Sequence, residues 1–263
     1  MDYQDIRYEL RDGIARITIN RPEVLNAVRA LSVEELIDAF KRADSDANAG
    51  VIVLAGTGER AFCVGGDQSA DSSAGLGRYG GRGVVGVPGE ELHSVIRDVR
   101  KPVIARVQGF AIAMGNVLAA LCDLTIASEK AVFGQVGPKV GSVDPGWGTA
   151  YLARVIGEKK AREFWFLCRK YSAAEALSFG LVNRVVPHAQ LDAEVDTWCR
   201  EILALSPTAL AIAKRSFNAD SESIRGIGSL GFEALGLFYK TEESKEGVAA
   251  FREKRKPRFR KSS

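Results

Sequence analysis

A single carboxylate, Asp144, stands in the Gly/Pro-rich run Gly141-Ser142-Val143-Asp144-Pro145-Gly146, with Lys139 the only cation within five residues on either side. A helical pattern follows at once through Thr149, Tyr151, Leu152, Val155 and Ile156. An acid on a tight loop before a helix can be held rigidly and partly desolvated, which suits a general base. The same placement suits an ordinary helix cap or turn aspartate, and the residue types alone leave both readings open.

Two glycine loops bear on the choice. Ala61-Phe62-Cys63-Val64-Gly65-Gly66-Asp67-Gln68 follows the β-branched run Val51-Ile52-Val53-Leu54, and Gly109-Phe110-Ala111-Ile112-Ala113-Met114-Gly115-Asn116 follows Pro102 to Val107 and opens an apolar segment from Val117 to Leu121. Both read as strand–glycine–helix junctions. Backbone N–H groups at a helix start have no intrahelical partner, so two such junctions side by side could offer two donors to one oxygen, an oxyanion hole. Taken singly, each loop is equally a tight turn.

Other chemistries find less support. The chain has only two histidines, His93 in a helical pattern and His188 in a turn, and neither accompanies a serine elbow or a catalytic cysteine. Gly56-Thr57-Gly58 is an incomplete dinucleotide fingerprint. Four scattered cysteines fit a reduced cytoplasm and form no metal motif. The net charge of +3 is too small to argue for nucleic acid. No apolar stretch reaches membrane-spanning length and Met1 to Asp5 has no signal-peptide pattern, so a cytoplasmic protein with no membrane or nucleic-acid partner is expected. No metal or nicotinamide requirement is expected either.

The elements that must position these loops follow from pattern. At 263 residues, with 46% hydrophobic and 26% charged residues, the chain suits a soluble α/β fold. Residues 6–20 read as a hairpin turning at Arg11-Asp12-Gly13, and Ser32 with Glu35 as a capping box for a helix burying Leu36, Ile37 and Phe40. Strands at 51–54, 103–107 and 124–127 alternate with helices at 90–99 and 115–121. The Ser/Gly-rich stretch 69–90 reads as an open loop. Helices follow at about 147–156 and 158–168, a second capping box at Ser172 and Glu175, then helices at roughly 189–205, 207–219, 222–240 and 243–255. This divides the chain into a core over 1–188 and a C-terminal helical lobe over 189–263.

The chain resembles the enoyl-CoA hydratase/isomerase (crotonase) superfamily over nearly its whole length, from Ile17-Thr18-Ile19-Asn20-Arg21-Pro22 and Leu25-Asn26-Ala27 to the C-terminal helices. Two ring-chemistry branches are most similar: 2-ketocyclohexanecarboxyl-CoA hydrolases, which open a ring, and 1,4-dihydroxy-2-naphthoyl-CoA synthases, which close one. Both resemble it at Phe62-Cys63-x-Gly65-Gly66-Asp67-Gln68, Cys122-Asp123-Leu124-Thr125-Ile126, Gly137-Pro138-Lys139 and Glu158 to Glu163. The hydrolase branch is closer at Gln135 to Lys139, at Gly141 to Gly146 and at Ser206 to Asn218.

The resemblance implies a spiral of β-β-α turns with a C-terminal helical lobe, and a homotrimer or homohexamer. It implies an acyl-CoA substrate and no separate cofactor, CoA being part of the substrate. It carries the oxyanion donors onto the backbone N–H groups of Gly66 and Met114, and catalytic roles onto Ser142, Asp144 and Tyr239. CoA-contacting positions match Val64, Gly65, Asp67, Gln68 and Lys254; substrate contacts match Tyr79, Phe110 and Val136. Gln135 and Trp165 match positions that hold bicarbonate in some ring-closing synthases, but they occur in the hydrolase pattern too and do not discriminate between the branches.

There are departures. Relatives carry three glycines where this chain has Ala113-Met114-Gly115, so a positive φ there would be strained and the Met114 side chain would narrow the acyl pocket. The two glutamates of simple hydratases align with Val117 and Gly137, which leaves no carboxylate pair to handle water. Val136 and Leu25 replace a hydroxyl residue and an arginine of the synthase branch. The reading that follows is hydrolysis of the ring C–C bond of 2-oxocyclohexane-1-carboxyl-CoA to pimeloyl-CoA. The alternatives are the naphthoyl-CoA synthase reaction and a generic hydratase/isomerase. A non-catalytic or RNA-binding protein on the same fold has only the basic tail from Lys254 to Lys261 in its favour.

Overall fold

The computed structural model describes residues 2–67 and 89–260. Tyr79, Gln68 and nearly all of the expected loop over 69–90 lie outside them. β1 (Ile6–Arg11) and β2 (Ile14–Ile19) form an antiparallel hairpin. Its two turn residues, Asp12 and Gly13, both take positive φ (51° and 79°), the twist a two-residue hairpin prefers.

From there the chain winds in repeated turns. Each turn sends one strand to a large sheet and the next to a small one. β3 (Val51–Gly56), β5 (Val103–Val107) and β7 (Leu124–Ser128) run parallel in the large sheet, whose order is β1-β2-β3-β5-β7-β10 with β10 at Arg184–Val186. β4 (Ala61–Cys63), β6 (Phe110–Ile112) and β8 (Val132–Gly134) advance in step in the small sheet, which ends on β9 (Lys170–Ser172), antiparallel to β8. The fold is thus mixed α/β, a spiral of β-β-α turns with helices to the C-terminal side.

The sequence pattern accounts for the layers. All six residues of β3 are buried, as expected of a parallel strand covered on both faces. On one face Ile17, Ile19, Ile52 and Leu54 pack with Leu36 and Phe40 of α1 (Ala30–Ser45), Leu92 and Ile96 of α2 (Gly89–Asp98) and Leu118 of α3 (Met114–Leu121). On the other, Ile14, Val51, Val53, Ile104 and Ile126 meet Leu191, Val195 and Cys199 of α8 (Leu191–Leu203). Between them lie α4 (Gly137–Val140), a π-helical turn at Trp147–Tyr151, α5 (Leu152–Ile156), α6 (Glu158–Leu167) and α7 (Ala173–Ser178). The chain continues through α9 (Pro207–Ala219), α10 (Ser223–Phe238) and α11 (Glu242–Arg252).

The second capping box is present: Ser172 Oγ accepts from the Glu175 N–H and the Glu175 carboxylate accepts from the Ser172 N–H. The first is not as expected. α1 begins at Ala30, so Ser32 is the third helical residue, and it accepts from the Arg29 N–H instead. Ser32 also donates to Asp5, and Glu35 accepts the N–H groups of Gln4 and Asp5, so both side chains tie the helix to the start of β1.

Two latches fix α2. The Lys214 ammonium on α9, almost fully buried, donates to Asp123 Oδ2 (2.6 Å) and to the carbonyls of Ile96 and Lys101. The Arg97 guanidinium donates to Ser221 Oγ at 2.7 Å and lies over the rings of Trp147 and Tyr151.

The two glycine loops differ from the expected pattern in one respect. The segment after Gly109 is itself a strand, β6, and it pairs in parallel with β4 (Ala61 opposite Phe110, Cys63 opposite Ala111). This places both turns side by side, and a Cβ at Gly115 would lie 2.0 Å from the Cys63 carbonyl oxygen. Gly115→Ala is therefore expected to destabilise the protein by about 2–3 kcal/mol through backbone displacement. Urea unfolding measures it, and wild-type stability in the variant would contradict so close an approach.

Candidate active site

Both turns open into one cleft. Gly65 takes φ +96°, and a Cβ on it would stand 2.9 Å from the Ala113 Cβ and 3.4 Å from the Met114 nitrogen. The first turn is held from behind: Val28 N–H donates to the Gly65 carbonyl (2.9 Å), Asp67 N–H donates to the Val28 carbonyl (2.8 Å), and the Arg21 guanidinium binds Asp67 Oδ2 (2.9 Å) and the Ala27 carbonyl (2.6 Å). The Asp67 side chain thus braces the loop through Arg21. In the second turn the unusual backbone falls on Ala113, at φ 53° and ψ −123°, while Met114 is the first residue of α3. The strain expected of the Ala113-Met114 pair is therefore concentrated on alanine, at a cost on the order of 1 kcal/mol. The Met114 N–H, at the first helical position, has no intrahelical acceptor and belongs to the positive end of the helix.

The facing wall comes from residues 136–148. α4 ends at Gly141 (φ 69°), where Ser244 Oγ of α11 donates to its carbonyl, and Ser142 N–H returns to the Gly137 carbonyl. Ser142 Oγ and Tyr239 Oη, from the end of α10, are 2.8 Å apart. Partial burial, with the Asp144 charge beside it, pushes the Tyr239 phenol above its usual range.

Asp144 is 8% exposed and accepts one N–H, from Gly148 into Oδ1 at 3.0 Å. Its other oxygen, Oδ2, faces Nε2 of His93 at 3.7 Å. Burial pushes the Asp144 carboxyl up to about 7, because one backbone donor replaces little of the water it loses. The π-helical turn that presents Gly148 is pinned from α6 by the Trp165 indole N–H, which donates to the Gly148 carbonyl. That N–H is consequently engaged within the protein. Gln135, also buried, approaches the Ala113 carbonyl at 3.4 Å through Nε2.

The cleft, about 1380 Å³ in volume, brings Gly66 and Met114 together with Ser142, Asp144 and Tyr239. Val64, Asp67, Phe110 and Val136 line it too, while Gly65 lies buried behind Gly66. Phe232 and Leu235 of α10 complete an apolar wall that sequence reasoning missed, since both fall in a long helical pattern where any apolar residue reads as core. His93 was legible only as a helical residue for the same reason. The cleft mouth carries Arg60, Lys139, Lys170 and Lys256, together with Arg255, whose charge is shared with Glu246 and Glu253. Lys254 itself takes a left-handed backbone (φ 55°) and stands outside the lining, between Arg252 and Arg255, which belong to it. Neither of the two positions that the resemblance matches to hydratase glutamates carries a carboxylate, and the second has no room for a side chain. Val117 is buried in α3, and a Cβ on Gly137 would fall 2.5 Å from the Ser142 carbonyl and 2.9 Å from the Trp165 ring.

A buried carboxyl of this kind costs stability once ionised. Its folded value lies above the unfolded one, so the folded state binds more protons between about pH 4 and pH 7, and stability falls as pH rises through that window. Asp144→Asn keeps the Gly148 acceptor and removes the charge. It is expected to be more stable than wild type by about 2–4 kcal/mol near pH 9, with the advantage vanishing near pH 4. Denaturant titrations at both pH values test this, and a variant destabilised at high pH would contradict it.

Comparison with known proteins agrees with the geometry. A sequence profile of the enoyl-CoA hydratase/isomerase family matches residues 9–262. Among solved structures the chain is similar to an enoyl-CoA hydratase from Mycobacterium avium subsp. paratuberculosis K-10, at 29% identity and TM-score 0.87, covering 99% of this chain and 100% of that one. It is similar to an enoyl-CoA hydratase/isomerase from Pseudoalteromonas atlantica T6c, at 27% identity and TM-score 0.86 over 98% of this chain and 100% of that one. It is also similar to a carnitinyl-CoA hydratase from Mycobacterium avium, at 30% identity and TM-score 0.81 over 97% of each chain. The match spans the strands, both turns and the helices that build the cleft, and on that ground the chain belongs to the enoyl-CoA hydratase/isomerase family.

Proposed function

We propose that the protein hydrolyses the ring C–C bond of 2-oxocyclohexane-1-carboxyl-CoA to pimeloyl-CoA. The observation that carries this reading is the isolated, desolvated Asp144 beside the Ser142–Tyr239 pair, on the opposite wall from the Gly66 and Met114 turns. Asp144 takes a proton from water, whose oxygen adds to the ring ketone. The bond between that carbon and the α-carbon breaks, and its electron pair passes to the thioester as an enolate. The backbone N–H groups of Gly66 and Met114 hold the enolate oxygen. Tyr239 returns a proton to the α-carbon, and Ser142, hydrogen-bonded to it, orients water or ketone. The basic mouth suits the phosphates of CoA, and the apolar wall suits an alicyclic ring.

Simple hydration is disfavoured by the closed Gly137 position, since addition of water to a double bond by this family's paired acids needs a second carboxylate. Ring closure is disfavoured by Val136, which offers no hydroxyl, and by Leu25, which stands where that branch carries a substrate-binding arginine. Incubation with 2-oxocyclohexane-1-carboxyl-CoA should yield pimeloyl-CoA by mass spectrometry. Asp144→Asn should lower kcat by about 10²–10⁴-fold while CoA-ester affinity stays within about tenfold. In the wild type kcat/KM should fall as pH drops through about 7, as the base is protonated. No pimeloyl-CoA from wild type, or near-normal kcat in the variant, would refute the assignment.

The protein is further proposed to assemble as a homotrimer or homohexamer. Phe166 on α6, Ile212 and Phe217 on α9 and Leu230 on α10 are each more than 60% exposed in the isolated chain, an apolar area that association would cover. Light scattering should give three or six copies; a monomer at micromolar concentration would remove this part of the proposal.

A further inference from the structure

The chain has two histidines. His188 is partly buried, with Nδ1 3.2 Å from Ser128 Oγ. His93 on α2 is fully buried, and neither of its ring nitrogens has a hydrogen-bond partner. One side of the ring lies against Phe232, with centroids 5.8 Å apart; on another, Nε2 faces Asp144 Oδ2 at 3.7 Å. Buried polar groups are almost always paired, and an unpaired one calls for an explanation in strain, in a catalytic role or in a water or ion bound there. An apolar residue would fill this space without leaving two nitrogens idle.

The surroundings single out Asp144 as the partner. On α2, Glu90 accepts from Ser229, Glu91 pairs with Lys41, and Asp98 pairs with Arg225 and Arg215. The Arg97 guanidinium, one turn beyond His93, is turned to Ser221, Asn218 and the rings of Trp147 and Tyr151. From the facing wall, Tyr239 is engaged with Ser142, and Asp144 Oδ1 with the Gly148 N–H. Oδ2 of Asp144 and Nε2 of His93 remain directed at each other.

We infer that His93 is the positioning residue of the catalytic base: a neutral imidazole, carrying its proton on Nε2, that donates to Asp144 Oδ2 and holds the carboxylate ionised and oriented. This rests on the reading of Asp144 as base. The 3.7 Å separation is longer than a hydrogen bond, and such contacts in ligand-free sites commonly tighten when substrate enters. Each carboxylate oxygen has two lone-pair sites, so Gly148 and His93 occupy one on each and leave one site on each oxygen for water. Burial pushes the His93 imidazole down to about 3, so it stays uncharged and does not compete with Asp144 for the proton. The division of labour follows: burial raises the proton affinity of the base, and a neutral donor keeps its anion attainable at neutral pH.

The test uses the full-length protein and does not depend on turnover. Histidine ¹⁵N spectra distinguish only two residues, and Asp144 is identified in carboxyl ¹³C spectra by its loss in Asp144→Asn. His93 should remain neutral with the proton on Nε2 from about pH 5 to about pH 9. His93→Leu should raise the Asp144 titration midpoint by about one unit, a roughly tenfold loss of the ionised form on the acid side, and the acid limb of kcat should move with it. His93→Gln, which keeps a donor, should recover the ionised fraction to within about threefold. A proton on Nδ1, an imidazolium at neutral pH, or an Asp144 midpoint unmoved in both variants would overturn the inference. If His93→Leu does not fold, the wild-type tautomer and the glutamine variant decide it. A shifted midpoint in protein inert toward 2-oxocyclohexane-1-carboxyl-CoA would refute the hydrolysis and sustain the pair; an unmoved midpoint in active protein would refute the pair alone.

Discussion

The contact between the turns that follow β4 and β6 governs this structure. β4 and β6 pair in parallel for only a few residues, yet their ends must deliver two backbone segments to one point. That delivery is possible because no side chain intervenes: a Cβ on Gly65 would meet Ala113, and one on Gly115 would enter the Cys63 carbonyl. The Val28 bridge and the Arg21–Asp67 ion pair hold the first turn from outside, while α3 carries the second. Preorganised donors are useful in catalysis because their orientation is already established when charge develops, and here the orientation is built into sheet pairing and glycine packing. The alanine at position 113 accepts an unfavourable backbone rather than move the turn, which shows how strongly the neighbours determine the path.

Across the cleft the governing quantity is solvation. Asp144 is nearly enclosed, receives one backbone donor, and has no cation in contact among the described residues. A salt bridge would make it a permanent anion and a poor base; full exposure would leave it near the ordinary aspartate range, too acidic to abstract a proton at neutral pH. The intermediate condition is created by α2 and the π-helical turn, which exclude water without supplying charge. Lys214 and Arg97, the two buried cations that fix α2, are spent on Asp123, on backbone carbonyls and on aromatic faces. The ion pairs of the fold and the Asp144 carboxyl are thereby kept electrically apart.

Family membership and reaction chemistry are separate questions on such a fold. The overall fold is what this chain shares with the solved relatives. The placement of acids is a property of a few positions on its facing wall. At Gly137 the Ser142 carbonyl and the Trp165 ring occupy the space a side chain would need, so the wall here is organised around Asp144 further along. Scaffold and chemistry therefore carry separate information, and the second must be argued from the site.

The sequence by itself determined the large elements. The buried β-branched runs of β3, β5 and β7, the hairpin at Asp12-Gly13 and the capping box at Ser172 were legible because periodicity and turn chemistry are local properties. Asp144 and the two glycine loops were legible as candidates, since their residue types are unusual where they stand, whereas Ser142 and Tyr239 came only from the family resemblance. Short strands such as β4 and β6 were not, because three residues carry no period and are strands only by virtue of their neighbours. The capping role expected of Ser32 and Glu35 was lost to Asp5 and the start of β1, a long-range competition invisible in the local pattern. Only the tertiary structure decided that the two turns touch, that Tyr239 meets Ser142 across nearly a hundred residues, and that His93 faces Asp144. The physical reason is common to all three: desolvation and donor geometry are set by whichever elements close over a group, and those elements are distant in the chain.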